Sequence, residues 1–174
     1  MAERFIVQLG DPILREKSKP VKIINQHVYK LLDDMVDTIY AAPGRAGLSA
    51  IQVGIPKQLV VMDCGSGLIE LINPVILEKE GEEEGTEACL SIPGVVGLVK
   101  RAQYVKVGTL DRAGEEKIIE AEGFLARCIQ HEVDHLHGIL YIDYVNELYS
   151  NRSGKKLKPA DAAPILAQRI PIIR

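Results

Sequence analysis

Residues 131 to 135 read His-Glu-Val-Asp-His, and their types and spacing predict metal chemistry. On a helix, side chains four residues apart share one face, so the imidazoles of His131 and His135 can converge on one metal ion. Glu132 lies about 100° round the same helix, where its carboxylate can reach a metal-bound water without being a ligand. The pattern therefore favours a metal-dependent hydrolase in which Glu132 transfers protons.

Two histidines do not complete such a site. Catalytic zinc-like sites use three protein ligands and leave one position for water. Cys128 lies near His131, but it is separated from His135 by a rise of about 10.5 Å along a helix, which a short cysteine side chain does not span. We expect Cys128 to pack beside the site. Cys64 and Cys89 are then the remaining candidates for the third ligand. The loop-like surroundings of Cys89 suit a ligand better than those of Cys64.

The elements that position this motif can be predicted from periodicity. A helix is expected from about residue 123 to residue 137, with Gly138 as its C-terminal stop. An earlier amphipathic helix is expected after Asn25 and ends before Pro43, because apolar residues recur there at three- and four-residue spacing. The predicted strands share a β-rich composition and lie at 59–63, 68–72, 75–78, 104–110 and 117–120, the last two joined by a hairpin turn at 111–114.

Composition limits the class of protein. The chain has 174 residues, 47% hydrophobic and 26% charged, with a formal net charge of -3. A single domain of this size can bury a core without disulfides, and its mild acidity argues against a DNA-binding protein. Three cysteines, a low and odd number, favour a reducing compartment, and we expect a cytoplasmic location. No apolar run approaches the roughly 20 residues that span a bilayer, so no membrane partner is expected.

Three segments together resemble motifs of the peptide deformylase family. Residues 130–138 (QHEVDHLHG) are similar to its QHExDHLxG motif, residues 87–91 (EACLS) to EGCLS, and residues 47–52 (GLSAIQ) to the end of GxGLAAxQ. The similarity covers about residues 5 to 146 in the family's order and spacing. It predicts an α+β domain in which a central metal-binding helix packs against short, mostly antiparallel β-sheets. Residues 1–146 would form the catalytic part, and 147–174 a basic, proline-containing tail of the same domain.

The resemblance implies a complete ligand set. It assigns the catalytic metal to Cys89, His131 and His135. The usual native metal of the family is Fe²⁺, although Zn²⁺, Ni²⁺ or Co²⁺ can occupy the site. A thiolate with two imidazoles accepts several of these ions, and we expect Fe²⁺ in the cell.

The resemblance also implies the reaction, which removes the formyl group from the N-terminal formyl-methionine of new polypeptides and releases formate. A metal-bound hydroxide would attack the formyl carbon, with Glu132 as general acid and base. The Gln52 amide and the backbone N–H of Leu90 would stabilise the negative charge on the formyl oxygen. Nascent formyl-methionyl chains are thus the expected partners, and the basic tail suggests a contact with the ribosome.

A pocket for the methionine side chain is expected beside the metal. Two positions nearby depart from the family pattern: Arg45 stands in the Gly-x-Gly segment, and Ala88 replaces a glycine. An added methyl at 88 would be unfavourable if that position needed a positive φ, and a cation at 45 would sit beside the cleft. Ser49 in place of alanine is a milder change. The candidate pocket residues are Gly47, Ala88, Ile92, Leu125, Cys128 and Ile129.

Two alternatives stay open at this point. The departures allow a deformylase-like metal-binding module with altered or lost activity. A zinc metalloprotease fits less well, because the chain after His137 offers no histidine and only one glutamate, Glu147, as a third ligand.

The remaining charged residues are expected to be structural or solvated. Asp134 is predicted to orient its helix through a salt bridge with Arg101. For Arg127, a peptide contact and an exposed helix position are both open. The acidic stretch from Glu78 to Glu87 is interpreted as a solvated loop or strand edge. The tail contains three prolines, so at most a short helix is expected there.

Overall fold

The computed structural model describes residues 2–172, in which helices and antiparallel strands form one mixed fold. In chain order, its elements are α1 (Gln26–Tyr40), β1 (Gly47–Ser49), β2 (Leu59–Asp63), β3 (Leu68–Glu80), β4 (Glu83–Cys89), β5 (Ile92–Arg101), β6 (Tyr104–Leu110), β7 (Glu116–Glu122), α2 (Gly123–Leu136), β8 (Tyr149–Ser150) and α3 (Pro159–Leu166). Short 3-10 turns lie at Pro12–Arg15, Ala50–Val53 and Tyr141–Tyr144.

The strands form two antiparallel sheets. The larger sheet has the order β1-β2-β3-β6-β7, and the smaller has the order β4-β5-β8. The predicted α+β fold, with a central helix against antiparallel sheets, is therefore confirmed.

Strand β2 shows how the two main helices are positioned. Successive side chains of a strand point to opposite faces of the sheet. Leu59 and Val61 pack in the core that α1 covers, whereas Val60 and Met62 pack in the core that α2 covers. The larger sheet is therefore a layer between α1 and α2. Apolar side chains of this sheet pack against α2 and fix its position.

The bounds of α2 follow from two glycines. Gly123 begins the helix with a φ of +59°, and Gly138 follows it with a φ of +71°. A Cβ at position 138 would lie 2.6 Å from the carbonyl oxygen of Arg15, so close backbone packing also excludes a larger residue there. The helix predicted from the sequence is confirmed, and it ends one residue before the predicted position.

Strands β4 and β5 were not among the predicted elements. The acidic stretch from Glu78 to Glu87 is predicted as a solvated loop or strand edge, but most of it belongs to β3 and β4. Strand β5 contains Pro93, Gly94 and Gly97, which lower the strand signal. Strand β3 runs continuously from 68 to 80, although two segments were predicted. The pairing with β6 shifts its register between Ile72 and Val75, where Asn73 has a φ of +51°, and it resumes beyond this irregularity.

The C-terminal segment packs against the domain. Strand β8 pairs with β5, and α3 buries Ala162 in a core shared with Tyr141 and Ile142. Arg15 clamps the same region through two hydrogen bonds to the Asp143 carboxylate, at 2.7 and 3.0 Å. The one short helix expected in the tail is therefore α3. Within residues 2–172, no helix is long and apolar enough to cross a membrane.

Two isoleucines test the importance of the core beneath α2. Ile129 is fully buried against the larger sheet, whereas the side chain of Ile118 on β7 is 56% exposed. We expect Ile129→Ala to lower the free energy of unfolding by about 2–5 kcal/mol, because it leaves a cavity. Ile118→Ala is the matched control and should change it by about 0.5 kcal/mol or less. Urea unfolding of both variants measures this, and equal losses would contradict the assigned packing.

Candidate metal centre

The three predicted metal ligands come together at the point where β4 meets α2. Cys89 ends β4, and His131 and His135 lie one turn apart on α2. All three are buried, and their ligand atoms lie within 4.8 Å of one another. The Cys89 Sγ is 3.5 Å from the Nε2 of His135. Cys64 is not part of this group. Of the two cysteines that the sequence offers as the third ligand, the geometry therefore selects Cys89.

The residues present fit a divalent transition metal. One thiolate and two imidazoles form a mixed sulfur and nitrogen donor set that such ions favour, and three protein ligands leave a position open. Glu132 Oε2 is buried without a hydrogen-bond partner among residues 2–172. Buried polar atoms normally have partners, so this oxygen fits a site that a water or a substrate completes.

A buried carboxylate orients His131. Glu87 receives two hydrogen bonds of 2.8 Å from Arg101 and one of 2.8 Å from Arg127. Burial raises the pKa of Glu87, but hydrogen bonds from Arg101 and His131 outweigh it and hold the pKa at about 2. Because an ionised carboxylate only accepts hydrogen bonds, the His131 Nδ1 donates to it, at 2.8 Å. This contact leaves the Nε2 of His131 available to a metal.

Glu87 is therefore a functional residue that the pattern of charges in the sequence does not reveal. It belongs to the acidic stretch that was interpreted as solvated, yet it is buried and fully paired. The available signal was its place two residues before Cys89 in the family-like motif. Charge pattern alone could not separate it from its exposed neighbours Glu82 to Glu84.

Arg127 and Asp134 support the same network. Arg127 is only 8% exposed, and besides Glu87 it donates to the carbonyl oxygen of Val99 at 2.8 Å. The exposed position considered for Arg127 is therefore wrong, and its guanidinium holds β4 and β5 beside α2. Asp134 forms the predicted salt bridge with Arg101, at 2.5 Å.

Gln52 is fixed next to the Cys89 sulfur by hydrogen bonds. Its Oε1 accepts hydrogen bonds from the backbone N–H and the hydroxyl of Ser49, at 3.0 and 3.1 Å. Its Nε2 donates to the Ser91 hydroxyl at 3.1 Å and lies 3.6 Å from the Cys89 Sγ. Ser49, where the family motif has alanine, adds one of the two donors that fix this amide. Leu90 follows Cys89 in the turn between β4 and β5 and lines the adjacent cavity.

Glu132 sits in a space that depends on Gly47. A Cβ at position 47 would lie 2.9 Å from the Glu132 Oε1, so any larger residue would displace this carboxylate. Burial raises the pKa of Glu132 to about 7. A group with such a pKa can both take and give a proton near neutral pH.

A cavity of about 580 Å³ opens beside the ligands. Four of the predicted pocket residues line it, namely Gly47, Ala88, Ile92 and Cys128. Phe124, which the sequence analysis did not select, also lines it with a side chain that is 58% exposed. The cavity therefore offers an apolar wall next to the metal ligands.

Leu125 and Ile129 do not line this cavity, in contrast to the expectation. Both face the core beneath α2, where Ile129 is fully buried and Leu125 packs against its edge. The cause is helical periodicity, because positions 125 and 129 share the sheet-facing side while 124, 128 and 131 share the cavity side. Proximity in sequence had suggested these residues without distinguishing the two faces.

The two departures from the family pattern cause no visible disruption. Among residues 2–172, the non-glycine residue with a positive φ is Asn73, so Ala88 has ordinary backbone geometry and only adds a methyl to the cavity wall. The Arg45 guanidinium donates to the carbonyl oxygen of Thr38 at 2.6 Å and to Glu3 at 2.9 Å. Its charge is thus tied to the N-terminal segment and the end of α1.

A mixed α+β domain whose buried cysteine and two histidines can hold a metal ion, with a buried glutamate beside them, is typical of a metal-dependent hydrolase. A sequence model of the polypeptide deformylases matches residues 4–151. The peptide deformylase of Desulfitobacterium hafniense is 57% identical over 143 residues, which are 82% of this chain and 95% of that protein. That of Carboxydothermus hydrogenoformans is 53% identical over 148 residues, or 85% and 97% of the two chains. This chain belongs to the polypeptide deformylase family.

Solved structures agree with this assignment. The crystal structure of peptide deformylase from Thermotoga maritima matches with a TM-score of 0.81 and 39% identity, over 84% of this chain and 99% of that one. A peptide deformylase from Synechococcus elongatus, in complex with actinonin, matches with a TM-score of 0.84 and 36% identity, over 99% and 92%. These comparisons do not favour the metal-binding module or the metalloprotease that the sequence had left open.

The role of Glu87 can be tested through metal affinity. We expect Glu87→Gln to weaken Zn²⁺ binding about 10- to 100-fold, because it removes the charged partner that orients His131. Glu84→Gln, three residues away on the exposed part of β4, is the matched control and should bind as the unchanged protein does. Competition with a chromophoric chelator gives the dissociation constants, and circular dichroism checks that both variants fold. Equal affinities would contradict this role.

Proposed function

We propose that this enzyme removes the formyl group from the N-terminal formyl-methionine of nascent polypeptides and releases formate. The observation that carries this proposal is the convergence of Cys89, His131 and His135 at a cavity whose wall includes Glu132. A formyl group is small and the methionine side chain is apolar, so both suit a partly apolar cavity next to the ligands.

Cys89, His131 and His135 would hold the metal. When bound, a divalent ion polarises the formyl oxygen and makes water acidic enough to serve as a nucleophile near neutral pH. We propose Fe²⁺ as the ion in the cell, and the same donors also accept Zn²⁺, Ni²⁺ or Co²⁺. The Glu87 carboxylate keeps His131 in the tautomer that can bind.

Glu132 would move the protons of the reaction. Its carboxylate accepts a proton from the attacking water and later delivers one to the amine nitrogen as the carbon–nitrogen bond breaks. Its burial and its raised pKa support this exchange, since the proton is held neither too weakly nor too strongly near pH 7. The products are formate and a free N-terminal amine.

Gln52 and Leu90 would stabilise the negative charge on the formyl oxygen. The Gln52 Nε2 already points to the region of the Cys89 Sγ, and its orientation is fixed by the Ser49 contacts. Leu90 lies next to Cys89 on the cavity wall, where its backbone N–H can serve as a second donor. Fixed donors of this kind stabilise a developing charge without reorganisation.

The methionine side chain would occupy the apolar part of the cavity. We assign its wall to Ile92, Ala88 and Cys128 together with Phe124, and we exclude Leu125 and Ile129. The reaction belongs in the cytoplasm, where formylated chains are made. Exposed basic side chains on the C-terminal segment could contact ribosomal RNA, and they are Arg152, Lys155 and Lys158.

Glu132→Gln separates metal binding from turnover. We expect this variant to keep its metal and to lose at least about 100-fold in kcat, because the amide cannot accept the proton of water. Cys89→Ala should lose the metal itself. Glu116→Gln on exposed β7 is the control and should behave as the unchanged enzyme does. Formate release from formyl-Met-Ala, combined with metal analysis of anaerobically purified protein, distinguishes the variants. Retained turnover in Glu132→Gln would refute the assigned mechanism.

Ala88→Gly tests whether the missing glycine alters activity. Because Ala88 has ordinary backbone geometry, we expect kcat/KM to change by about twofold or less on formyl-Met peptides of two to four residues. A larger gain on the longer peptides only would show that the methyl obstructs the peptide cleft. Rates measured across the peptide series decide between these outcomes.

A further inference from the structure

Two cysteines that are not metal ligands, Cys64 and Cys128, lie where the end of β2 approaches α2. Cys64 directly follows β2, and the side chains of Val60 and Met62 on that strand face α2. Because side chains alternate along a strand, Cys64 continues this face toward α2. Cys128 is on α2 and lines the catalytic cavity.

The neighbouring contacts bring the end of β2 close to this part of α2. Met62 is paired with Gly47, and the Cα of Gly47 approaches the Glu132 carboxylate so closely that a Cβ would meet it at 2.9 Å. Cys128 lies one helical turn before Glu132, and Cys64 lies two residues beyond Met62. The strand end and the first turns of the helix therefore meet at the cavity wall.

The two thiols interact with each other, since each shifts the pKa of the other. Both residues are half-buried, so that small reagents can reach them. The hydrogen bond from Cys128 lowers the pKa of Cys64, although burial opposes it. For Cys128, the hydrogen bond with Cys64 and burial both raise the pKa. Cys64 is thus the better nucleophile of the pair.

We propose that Cys64 and Cys128 are a redox modification site that closes to a reversible disulfide on the wall of the catalytic cavity. With a small disulfide as oxidant, the Cys64 thiolate attacks one of its sulfurs, which forms a mixed disulfide and releases one thiolate. The Cys128 thiolate then attacks the Cys64 sulfur and expels the second. Two electrons pass from the protein to the small disulfide, and the two cysteine protons end on the two released thiols.

Closure would change how the cavity binds substrate. It draws the Cys128 sulfur toward β2 and ties α2 to the end of that strand, one turn from Glu132. The apolar wall changes while the Cys89, His131 and His135 ligands stay in place. This consequence rests on the proposed function, and it predicts a rise in KM of at least twofold for formyl-Met-Ala-Ser with little change in kcat.

The disulfide can be measured without any turnover. The Zn²⁺-loaded full-length protein is treated with excess oxidised glutathione without air, then denatured and alkylated, and its intact mass is recorded. The chain has three free cysteines, and we expect the alkylated thiols to fall from three to one, with no bound glutathione. Peptide mapping should join Cys64 to Cys128, and dithiothreitol should restore all three thiols. Cys64→Ser is the matched control and should form no internal disulfide.

Several results would overturn the proposal. They are three remaining thiols, glutathione adducts in place of an internal bond, or a disulfide that includes Cys89. An internal Cys64–Cys128 bond with unchanged KM would refute the effect on substrate binding. Because mass and thiol counts need no catalysis, a failure of the proposed deformylase activity would be recognised separately, as absent formate release from the reduced protein.

Discussion

The site depends on one buried carboxylate. Glu87 is ionised inside the protein, where an isolated charge would be costly, and it is stabilised by Arg101, Arg127 and His131 together. The two arginines come from β5 and α2, so the same interaction joins the smaller sheet to the metal-bearing helix. Removing the carboxylate would leave two buried guanidinium groups without their shared partner. The same carboxylate therefore orients the metal ligand His131 and joins the smaller sheet to α2.

The helix and most of the larger sheet could be predicted because their patterns are local. Apolar periodicity indicated α1, the glycine at 138 indicated the end of α2, and β-rich composition indicated β2, β6 and β7. Strand β5 was missed because Pro93, Gly94 and Gly97 weaken its local preference, whereas pairing with β4 and β8 and core packing of Val95 and Val99 support it. Tertiary contacts determine whether such a segment forms a strand, and these contacts cannot be read from a single sequence.

The candidate site was predictable to a similar depth. Spacing indicated His131 and His135, and the family-like motifs indicated Cys89 and Gln52, all of which the structure brings together. Glu87 and Arg127 were misjudged because charged residues are usually solvated, and only the partner from a distant segment reveals a buried pair. Leu125 and Ile129 were misplaced for a geometric reason, since they face the sheet and not the cavity.

The ligand set also links the stability of the two layers. Cys89 belongs to the smaller sheet and packs in the core that includes Tyr141 and the C-terminal segment, whereas His131 and His135 belong to the helix on the larger sheet. An ion shared by these ligands would join the layers at the same place as the Glu87 network. Because a preformed site rarely exists in an unfolded chain, the free energy of metal binding adds to that of folding. Metal binding would also stabilise the C-terminal segment, although this segment does not contact the ion. It packs on the smaller sheet, which supplies Cys89.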